Sequence, residues 1–564
     1  MVARPQPPTK PNALPFASQT RRRFLVAGAY GVAHVAVVGL PPFSLRSRPS
    51  APTEPQGLRP ASEGQGVKAI SQEVAAFADA PPEPGPDHIH DLVIVNGRVI
   101  DPATSYDGIA NIGIDGGMIV SITPQPVQGR DTIDASGHVV APGFIDILSY
   151  EPNSFGAWYK LADGVTTNLA MHGVANYAPA FFSRYAGESP VHFGGAYHQH
   201  FMRFQEIGVG VEDKMGGAQI DVFARALETN LRQGFAGVSF SPEYSPGTSL
   251  DEMTALASVV ARHGQVAFFH VRHSDPEPPG TSLEAIEEVI EIVRRTGVSA
   301  HIEHISSTGG TFVMEEALGL IEEARAANFD ITACVYPYNY WGTFLASTRF
   351  AAGWQERYRI SFEDLQVAGT DQRLTEGTYA AAKADNLLVA ALGSIPETDI
   401  TTALAKPWVM IGSDAILKSE LNNHPRAAGT FARTLRRYVR EEPVLTLQEA
   451  LAKMTILPAQ RTEKMIPAMA RKGRLWRGAD ADVVVFNPDT VSDRATVAEP
   501  KQPSVGIQTV VVNGQVALRG GLALRAVRAG TPLLGSAGES ANTGDRVSPS
   551  DSLRQETSTG HLGE

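Results

Sequence analysis

Cysteine is nearly absent from this chain, which contains one, Cys334, among 564 residues. A single cysteine cannot form an intramolecular disulfide, and it cannot supply the paired spacing of a zinc finger. Any metal ion must therefore be bound by carboxylates and by the 15 histidines. Cys334 falls on a predicted strand, and we expect it to be a small core residue.

Basic residues are also in deficit, because 48 Lys and Arg stand against 60 Asp and Glu, for a formal net charge of -12. A nucleic-acid-binding surface needs a basic face for the phosphates, so nucleic acid is excluded as a partner. The apolar fraction of 43% and the charged fraction of 19% are typical of a globular protein. The length allows a barrel-sized domain and a smaller module.

The N-terminus resembles a targeting segment. Residues 20–25 are Thr-Arg-Arg-Arg-Phe-Leu, and an apolar run over 26–40 follows them. This pattern is similar to a twin-arginine export signal, and the run is short for a membrane-spanning helix, which needs about 20 residues. We expect residues 1–45 to be recognised by the twin-arginine translocation machinery. The protein would then be periplasmic or secreted, or membrane-anchored if the segment is not cleaved.

Short β-type runs occur near both ends of the remaining chain. The N-terminal runs include Asn96-Gly97 and the C-terminal ones Asn513-Gly514, and Asn-Gly is a strong hairpin signal because both positions tolerate positive φ. Two such segments on either side of a long middle predict a small β-sandwich domain, formed by residues 89–141 and 460–528. Residues 46–88 before it are rich in Pro, Ser, Glu and Gly and are interpreted as a flexible linker.

The middle of the chain, residues 142–459, alternates short apolar runs with helical stretches, which predicts an α/β fold with a parallel (β/α)8 TIM-like barrel. Roughly 70 residues separate the last two strands, and this insert, about 339–406, is a candidate lid. Beyond residue 528 the composition predicts a disordered tail over 529–564. The predicted strands are 144–148, 166–171, 193–197, 237–240, 266–269, 300–303, 331–335 and 408–411.

Histidine and aspartate recur where the predicted strands end. His172 follows the second strand, His270 the fifth, His304 the sixth and Asp414 the eighth. Chemistry in such barrels occurs at the C-terminal ends of the strands, so these side chains are expected to face one another. Catalytic zinc binds three protein ligands and keeps a position open for water. We predict a Zn²⁺ site of the three histidines, with Asp414 as the proton acceptor.

Nine short motifs follow one another along about residues 90–525, and each is weak by itself. They are Ala141-Pro-Gly-Phe-Ile-Asp146, Asp163-Gly-Val-Thr-Thr167, Glu243-Tyr244-x-Pro-Gly247, His270-Val-Arg272, His301-Ile-Glu-His304-Ile, Val335-Tyr-Pro-Tyr338, Gly412-Ser-Asp414, His424-Pro-Arg426 and Ala481-Asp-Val-Val-Val-Phe486. In this order they resemble the D-aminoacylase (N-acyl-D-amino-acid deacylase) branch of the amidohydrolase superfamily. The resemblance implies a sandwich completed by both termini and an insert over the site.

The chain departs from the pattern of that family in three places. Leu148 and Tyr150 stand where the family has a His-x-His pair at the end of the first strand. His172 stands where the family has a cysteine, and Ser306 where it usually has a lysine. In the family the cysteine belongs to the tightly bound metal and the His-x-His pair to a second, weaker one. The resemblance therefore implies that one metal ion is kept and the other is lost.

Two alternatives stay open for the metal site. His198 and His200 follow the third strand and form a His-x-His pair of their own, which could supply additional ligands. The site could instead be degenerate, and the protein would then be a non-catalytic exported binding protein.

Four residues are candidates for binding the substrate. Arg272 could hold a carboxylate through two hydrogen bonds. Tyr244 and Tyr338 lie in motifs that resemble those of the family's substrate-contacting tyrosines. Tyr150 could point into the vacated metal position. Arg426, by contrast, is interpreted as a structural clamp on the loop after the eighth strand.

These observations predict an exported metal-dependent hydrolase that acts on carbon–nitrogen bonds other than peptide bonds. Its small-molecule substrate would be an N-acyl amino acid, with the D configuration left open. A metal-dependent hydrolase of a cyclic amide, lactone or ester is the alternative, since the lost lysine weakens the case for the usual substrate. A homo-oligomer is compatible with the sequence.

Overall fold

A computed structural model describes residues 77–419 and 424–538 of the chain. The predicted signal segment, most of the predicted linker and residues 539–564 of the predicted tail lie outside this range. Among the helices within the range, none combines the length and the apolar character that crossing a bilayer requires.

Strands in the described residues form three sheets. In chain order they are β1 (Ile89–Asp101), β2 (Tyr106–Asp115), β3 (Met118–Thr123), β4 (Gln128–Asp134), β5 (Val139–Pro142), β6 (Phe144–Asp146), β7 (Val165–Val174), β8 (His192–His198), β9 (Val238–Phe240), β10 (Val266–Phe269), β11 (Ser299–Ile302), β12 (Ile331–Val335), β13 (Tyr340–Phe344), β14 (Leu365–Val367), β15 (Leu388–Leu392), β16 (Val409–Ile411), β17 (Val483–Phe486), β18 (Ile507–Val512), β19 (Gln515–Arg519) and β20 (Leu522–Ala523).

Helices connect most of the barrel strands. The α-helices are α1 (Gly156–Ala162), α2 (Ala178–Tyr185), α3 (Gln199–Ile207), α4 (Gly217–Arg232), α5 (Leu250–Arg262), α6 (Ser282–Thr296), α7 (Met314–Ala326), α8 (Trp354–Tyr358), α9 (Glu376–Ala384), α10 (Glu397–Ala405), α11 (Arg426–Arg433), α12 (Leu447–Met454) and α13 (Ile456–Thr462). Short 3₁₀ turns cover Ile305–Ser307, Thr348–Phe350, Phe362–Asp364 and Pro467–Arg471, and a π-helical segment, Thr434–Glu441, continues α11.

The predicted (β/α)8 barrel is confirmed. Its eight strands pair side by side in chain order, from β6 through β12 and then β16, and every pair is parallel. All ten residues of β7 are buried, as expected for a parallel strand covered on both faces. Strands β10 and β12 have the predicted bounds, whereas β7 continues three residues further, to Val174. The C-terminal ends of these strands carry the candidate site residues.

The second sheet is built from both ends of the described chain, as predicted. Its strand order is β20-β19-β18-β17-β5-β1-β2-β3, with β4 also beside β1, and the antiparallel β17–β5 pair joins the two segments. Side chains alternate between two cores along β17. Val483 and Val485 pack into the sheet's own apolar cluster, whereas Val484 and Phe486 pack into the cluster that covers the barrel.

The prediction of a hairpin at Asn96-Gly97 is wrong. The hairpin predicted at Asn513-Gly514 is present between β18 and β19. Strand β1 runs straight through Asn96, and both of its halves pair with β2 across a bulge. Asn96 adopts the positive φ of 61° that the dipeptide favours, but it uses this conformation for the bulge. Gly97 is required there because a Cβ atom would clash with Val140 on the neighbouring strand.

The segment between β12 and β16 adds a third sheet. Strands β13, β15 and β14 lie side by side in that order and pair antiparallel. In the chain, α8 lies between β13 and β14, and α9 lies between β14 and β15. The helix that returns to the barrel, α10, follows this sheet.

The prediction of a disordered tail is wrong for its first residues, because residues 529–535 lie along β8 and bond to its backbone. Phe193 N donates to Thr531 O over 3.1 Å, and Leu533 N donates to Phe193 O over 2.8 Å. Leu533 is 2% exposed and belongs to the cluster inside the barrel. Composition suggested disorder, but backbone pairing and burial of one leucine hold this short segment in place.

The carboxylate of Asp482 connects the second sheet to the barrel. It accepts hydrogen bonds from Lys472 Nζ at 2.7 Å, His192 Nε2 at 3.0 Å and Asn513 N at 2.8 Å, and it is buried. Burial raises the pKa of Asp482, but His192 and Lys472 outweigh burial and hold that pKa well below its usual range.

We predict that Asp482→Asn lowers the free energy of unfolding by about 3 kcal/mol, because Lys472 stays buried with Asp480 as its remaining carboxylate. Chemical denaturation at neutral pH measures the loss, and Asp371→Asn at an exposed position is the control. The stabilisation exists above the unfolded-state pKa of about 3.9 and disappears in stronger acid, so the two proteins should converge there. Equal stability at neutral pH would contradict the prediction.

Candidate metal centre and active site

Three predicted ligands meet at the C-terminal end of the barrel. His172, His270 and His304, together with Glu303, each place one ligating atom within 4.8 Å of the others. His270 Nδ1 lies 3.2 Å from His304 Nε2, and His172 Nδ1 lies 2.5 Å from Glu303 Oε2. All four side chains are buried. Imidazole nitrogen and carboxylate oxygen are donors that zinc and similar ions accept, so this donor set fits a divalent cation.

Unusual backbone conformations bring two of the site residues inward. Along β11 the side-chain alternation puts His301 and Glu303 on the inner face, where His301 bonds Thr332 Oγ1 over 2.8 Å. His304 reaches the same side because its φ of 24° turns the chain, and Asp414 has a φ of 50°. Such values are uncommon outside glycine and concentrate at functional sites, where packing must offset the strain.

A second layer of groups orients the histidine rings. Glu243 Oε2 lies 2.5 Å from His270 Nε2, and the Ser307 hydroxyl lies 3.2 Å from His304 Nδ1. The remaining nitrogen of each ring therefore faces the cluster, which is the arrangement that metal-binding histidines adopt. The Ser239 hydroxyl donates to Glu303 Oε1 over 3.0 Å and holds that carboxylate.

Asp414 lies beside the histidines, with its oxygens 3.7 Å from His304 Nε2 and 3.8 Å from His172 Nδ1. The Tyr150 hydroxyl donates to Oδ1 over 3.2 Å, and Arg426 Nη2 donates to Oδ2 over 3.0 Å. Burial raises the pKa of Asp414, but His304 and Arg426 outweigh burial and lower that pKa to about 2. The carboxylate is therefore ionised at neutral pH and can accept a proton.

The first barrel strand supplies no ligating atom to the group found in the described residues. Leu148 is fully buried in the apolar cluster inside the barrel, together with Cys334 and Met410. Tyr150 places its ring 5.0 Å from that of His172 and its hydroxyl on Asp414. An apolar side chain and a phenol thus occupy the two positions of the missing His-x-His pair.

His198 and His200 lie near the cluster but outside its set of converging donors. The His198 ring is 5.8 Å from that of His172 and 5.8 Å from that of His200. Within the described residues, the buried His198 Nε2 and His200 Nδ1 have no hydrogen-bond partner. Burial lowers the pKa of both, to about 4 in His200, so both rings are neutral. The geometry does not favour them as replacement ligands.

Two of the predicted substrate contacts are corrected. Arg272 is engaged by Glu288 at 2.9 Å and by the Thr248 carbonyl at 2.8 Å, and its role becomes structural. Strand β10 ends at Phe269, so strand alternation no longer governs Arg272.

Tyr338 is the second correction, because the Arg433 guanidinium lies 4.7 Å from its ring and His424 lies 5.5 Å from it, and within the described residues it makes no ring contact with the three histidines of the cluster. Tyr336 is nearer, with its ring 6.0 Å from that of His304 and the Arg426 guanidinium 4.2 Å above it. Tyr244 stays a candidate, since its ring lies 4.8 Å from that of His270.

Three further residues at the site did not emerge from the sequence. Glu303 and Glu243 lie within quoted motifs and could have been found there as carboxylates next to a histidine and a tyrosine. Arg349 comes from the insert, where no motif marked it. Its Nε donates to Glu243 Oε2 over 3.0 Å, and its Nη2 donates to the Ser274 hydroxyl and the Ser307 carbonyl over 2.9 and 2.7 Å.

Comparisons with known proteins agree with this geometry. The model of the amidohydrolase family matches residues 174–518. An N-acyl-D-glutamate deacylase of Alcaligenes xylosoxydans xylosoxydans is 32% identical over 462 residues, which are 75% of this chain and 93% of that protein. A D-aminoacylase of the same organism is 29% identical over 465 residues, with 75% and 93% covered.

A solved structure is also similar. It is the N-acyl-D-glutamate deacylase from Bordetella bronchiseptica complexed with zinc and a phosphonate inhibitor, with a TM-score of 0.68 and 26% identity, covering 79% of this chain and 100% of that one. The chain therefore belongs to the amidohydrolase family. Within the family it falls in the D-aminoacylase branch, as its motifs predicted, and it is a metal-binding hydrolase of carbon–nitrogen bonds other than peptide bonds.

We predict that Glu243→Gln weakens divalent metal binding about 10- to 100-fold. The amide of glutamine carries no negative charge, so its hydrogen bond to His270 Nε2 is weaker and Arg349 loses its carboxylate partner. Competitive titration of zinc against a chelator measures the affinity. Glu288→Gln, which removes the carboxylate that pairs with Arg272, is the matched control and should keep wild-type affinity. The same zinc affinity in both variants would rule out the orienting role of Glu243.

Proposed function

We propose that this protein hydrolyses the amide bond of an N-acyl-D-amino acid whose side chain is uncharged. The observation that carries the proposal is the convergence of His172, His270, His304 and Glu303, with Asp414 beside them. The relatives described as D-aminoacylase and N-acyl-D-glutamate deacylase support the N-acyl-D-amino acid as the substrate class.

We further propose one Zn²⁺ as the ion, held by the three histidines with Glu303 next to His172. The chemistry that a bound divalent ion supplies is polarisation of the scissile carbonyl and a lower pKa for the attacking water. The apolar Leu148 and the phenol of Tyr150 at the end of the first strand support a single ion.

Asp414 performs the proton transfers. Its carboxylate accepts the proton of the attacking water, and the resulting acid donates that proton to the leaving nitrogen as the carbon–nitrogen bond breaks. The products are the free carboxylate of the acyl group and the free amino acid. Tyr150 and Arg426 each bond one oxygen of Asp414 and so keep the carboxylate aimed at the cluster.

Arg426 is suited to bind the substrate carboxylate as well as to clamp Asp414. Its Nε and Nη1 atoms are buried and have no hydrogen-bond partner in the part of the chain that the structure describes. Nε and Nη1 lie on different edges of the guanidinium and Nη2 already bonds Asp414, so either free atom can donate one charge-assisted hydrogen bond to a carboxylate. Ser306, where the resemblance places a lysine, and the neutral rings of His198 and His200 do not match a second carboxylate, which supports an uncharged substrate side chain.

The experiment that tests this proposal is a panel of N-acyl-D- and N-acyl-L-amino acids with uncharged, acidic and basic side chains, extended to cyclic amides, lactones and esters. We expect the highest kcat/KM for the D series with uncharged side chains. Asp414→Asn should lower kcat about 10²- to 10⁴-fold and leave the zinc content unchanged, because an amide cannot accept the proton.

Turnover of only cyclic amides or esters would contradict the substrate proposed here. Full activity of Asp414→Asn would contradict the role proposed for its carboxylate. A folded protein that neither binds zinc nor turns over any substrate would favour the binding-protein alternative.

We also propose that residues 1–45, which lie outside the described residues, direct the protein to the twin-arginine translocation machinery. The three arginines before an apolar run support this proposal. Replacing Arg21, Arg22 and Arg23 with lysine should retain the protein in the cytoplasm, because the translocation machinery recognises the arginine pair and not the charge alone. Cell fractionation measures the outcome, and unchanged export would contradict it.

A further inference from the structure

A second group of metal-type donors lies on the second sheet, which is built from both ends of the described chain. His88, His90 and Asp115 each place one ligating atom within 4.8 Å of the others, and none of them belongs to the metal centre in the barrel. His88 Nε2 lies 2.8 Å and His90 Nδ1 lies 2.9 Å from the same oxygen, Asp115 Oδ2. His90 lies near the start of β1, His88 directly precedes that strand, and the aspartate ends β2, so both rings project toward one carboxylate.

The surroundings hold two of these three donors in place. The side chain of His90 is 4% exposed and its ring covers Gly113, where a Cβ atom would clash with the imidazole. Asp115 Oδ1 accepts a hydrogen bond from Asp91 N over 2.8 Å, which leaves Oδ2 to the two histidines. His88 has 41% of its side chain exposed, so its ring is free to rotate and one side of the group faces solvent.

We propose that His88, His90 and Asp115 form a second Zn²⁺ site. Two imidazole nitrogens and one carboxylate oxygen are three ligands of the kind that zinc binds, and the exposed side leaves a position for water. With bonds of about 2.0–2.2 Å, tetrahedral ligand atoms lie about 3.3 Å apart. Each histidine nitrogen therefore needs to move only about 0.4–0.5 Å away from Asp115 Oδ2 to reach that spacing.

The bound ion ties the start of β1 to the end of β2. The long strand β1 pairs with β2, β4 and β5, so the position where it begins affects one half of the second sheet. An ion that binds the folded state and not the unfolded one stabilises the fold by mass action. The site therefore acts on stability and is independent of the amide hydrolysis proposed above.

The test uses the full chain and compares wild type with His88→Ala and Asp115→Asn. After saturation with zinc and removal of free metal, we expect two bound equivalents in the wild type and one in each variant. Added zinc should raise the Tm of wild type that already holds its first equivalent by about 1–3 °C, and it should not change the Tm of the variants. Amide hydrolysis should be the same in all three proteins.

The control is His138→Ala, which removes a histidine next to β5 of the same sheet whose ring bonds the Ser136 carbonyl, and it should keep two equivalents. One equivalent in the wild type would overturn the proposal. So would variants that lower the Tm equally with and without zinc, since the three residues would then form only a hydrogen-bonded contact. If His88→Ala does not fold, the zinc content and the Tm of Asp115→Asn test the proposal, because that substitution preserves the side-chain shape.

Discussion

The buried contact between Glu243 and Arg349 is the constraint on which the active site depends. One oxygen of Glu243 bonds His270 Nε2, and the other accepts a hydrogen bond from the Ser274 hydroxyl. Arg349, which belongs to the insert, donates to the first of these oxygens. A buried ion pair is stable only when geometry and further hydrogen bonds offset the loss of hydration, and removing one partner strands the other. The ring of His270 can therefore hold its position only when the insert is seated on the barrel.

Charge balance explains how the centre tolerates its departures from the family pattern. The resemblance places a cysteine, which binds metal as a thiolate, where this chain has His172, an imidazole that brings no negative charge. Glu303, 2.5 Å from that ring, returns a negative charge to the same position, and Asp414 supplies the other. The charge of Asp414 is already paired with Arg426, and a second ion would face Leu148 in an apolar cluster. The donor set is thus consistent as a unit for a single cation.

The sequence predicted the parts of this molecule that depend on local periodicity. The barrel strands, and His172, His270 and His304 at their ends, follow from apolar runs and the rule that strand ends converge. The pairing of Glu243 with Arg349 was missed because the two residues are 106 residues apart and meet only through the folded insert. Arg272 and Tyr338 were misassigned because each lies just beyond a strand, where alternation no longer decides which way a side chain points.

Desolvation is the physical basis of the substrate proposed for this site. A carboxylate that enters a buried pocket loses its hydration, and only a cation with free donors restores the lost free energy. Arg426 has such donors, whereas Arg349 already pairs with Glu243. The neutral rings of His198 and His200 can each exchange one hydrogen bond with a substrate but cannot balance a charge. The proposed substrate has one carboxylate and needs only this one cation, whereas a second carboxylate would be buried against uncharged groups at a cost that its binding must overcome.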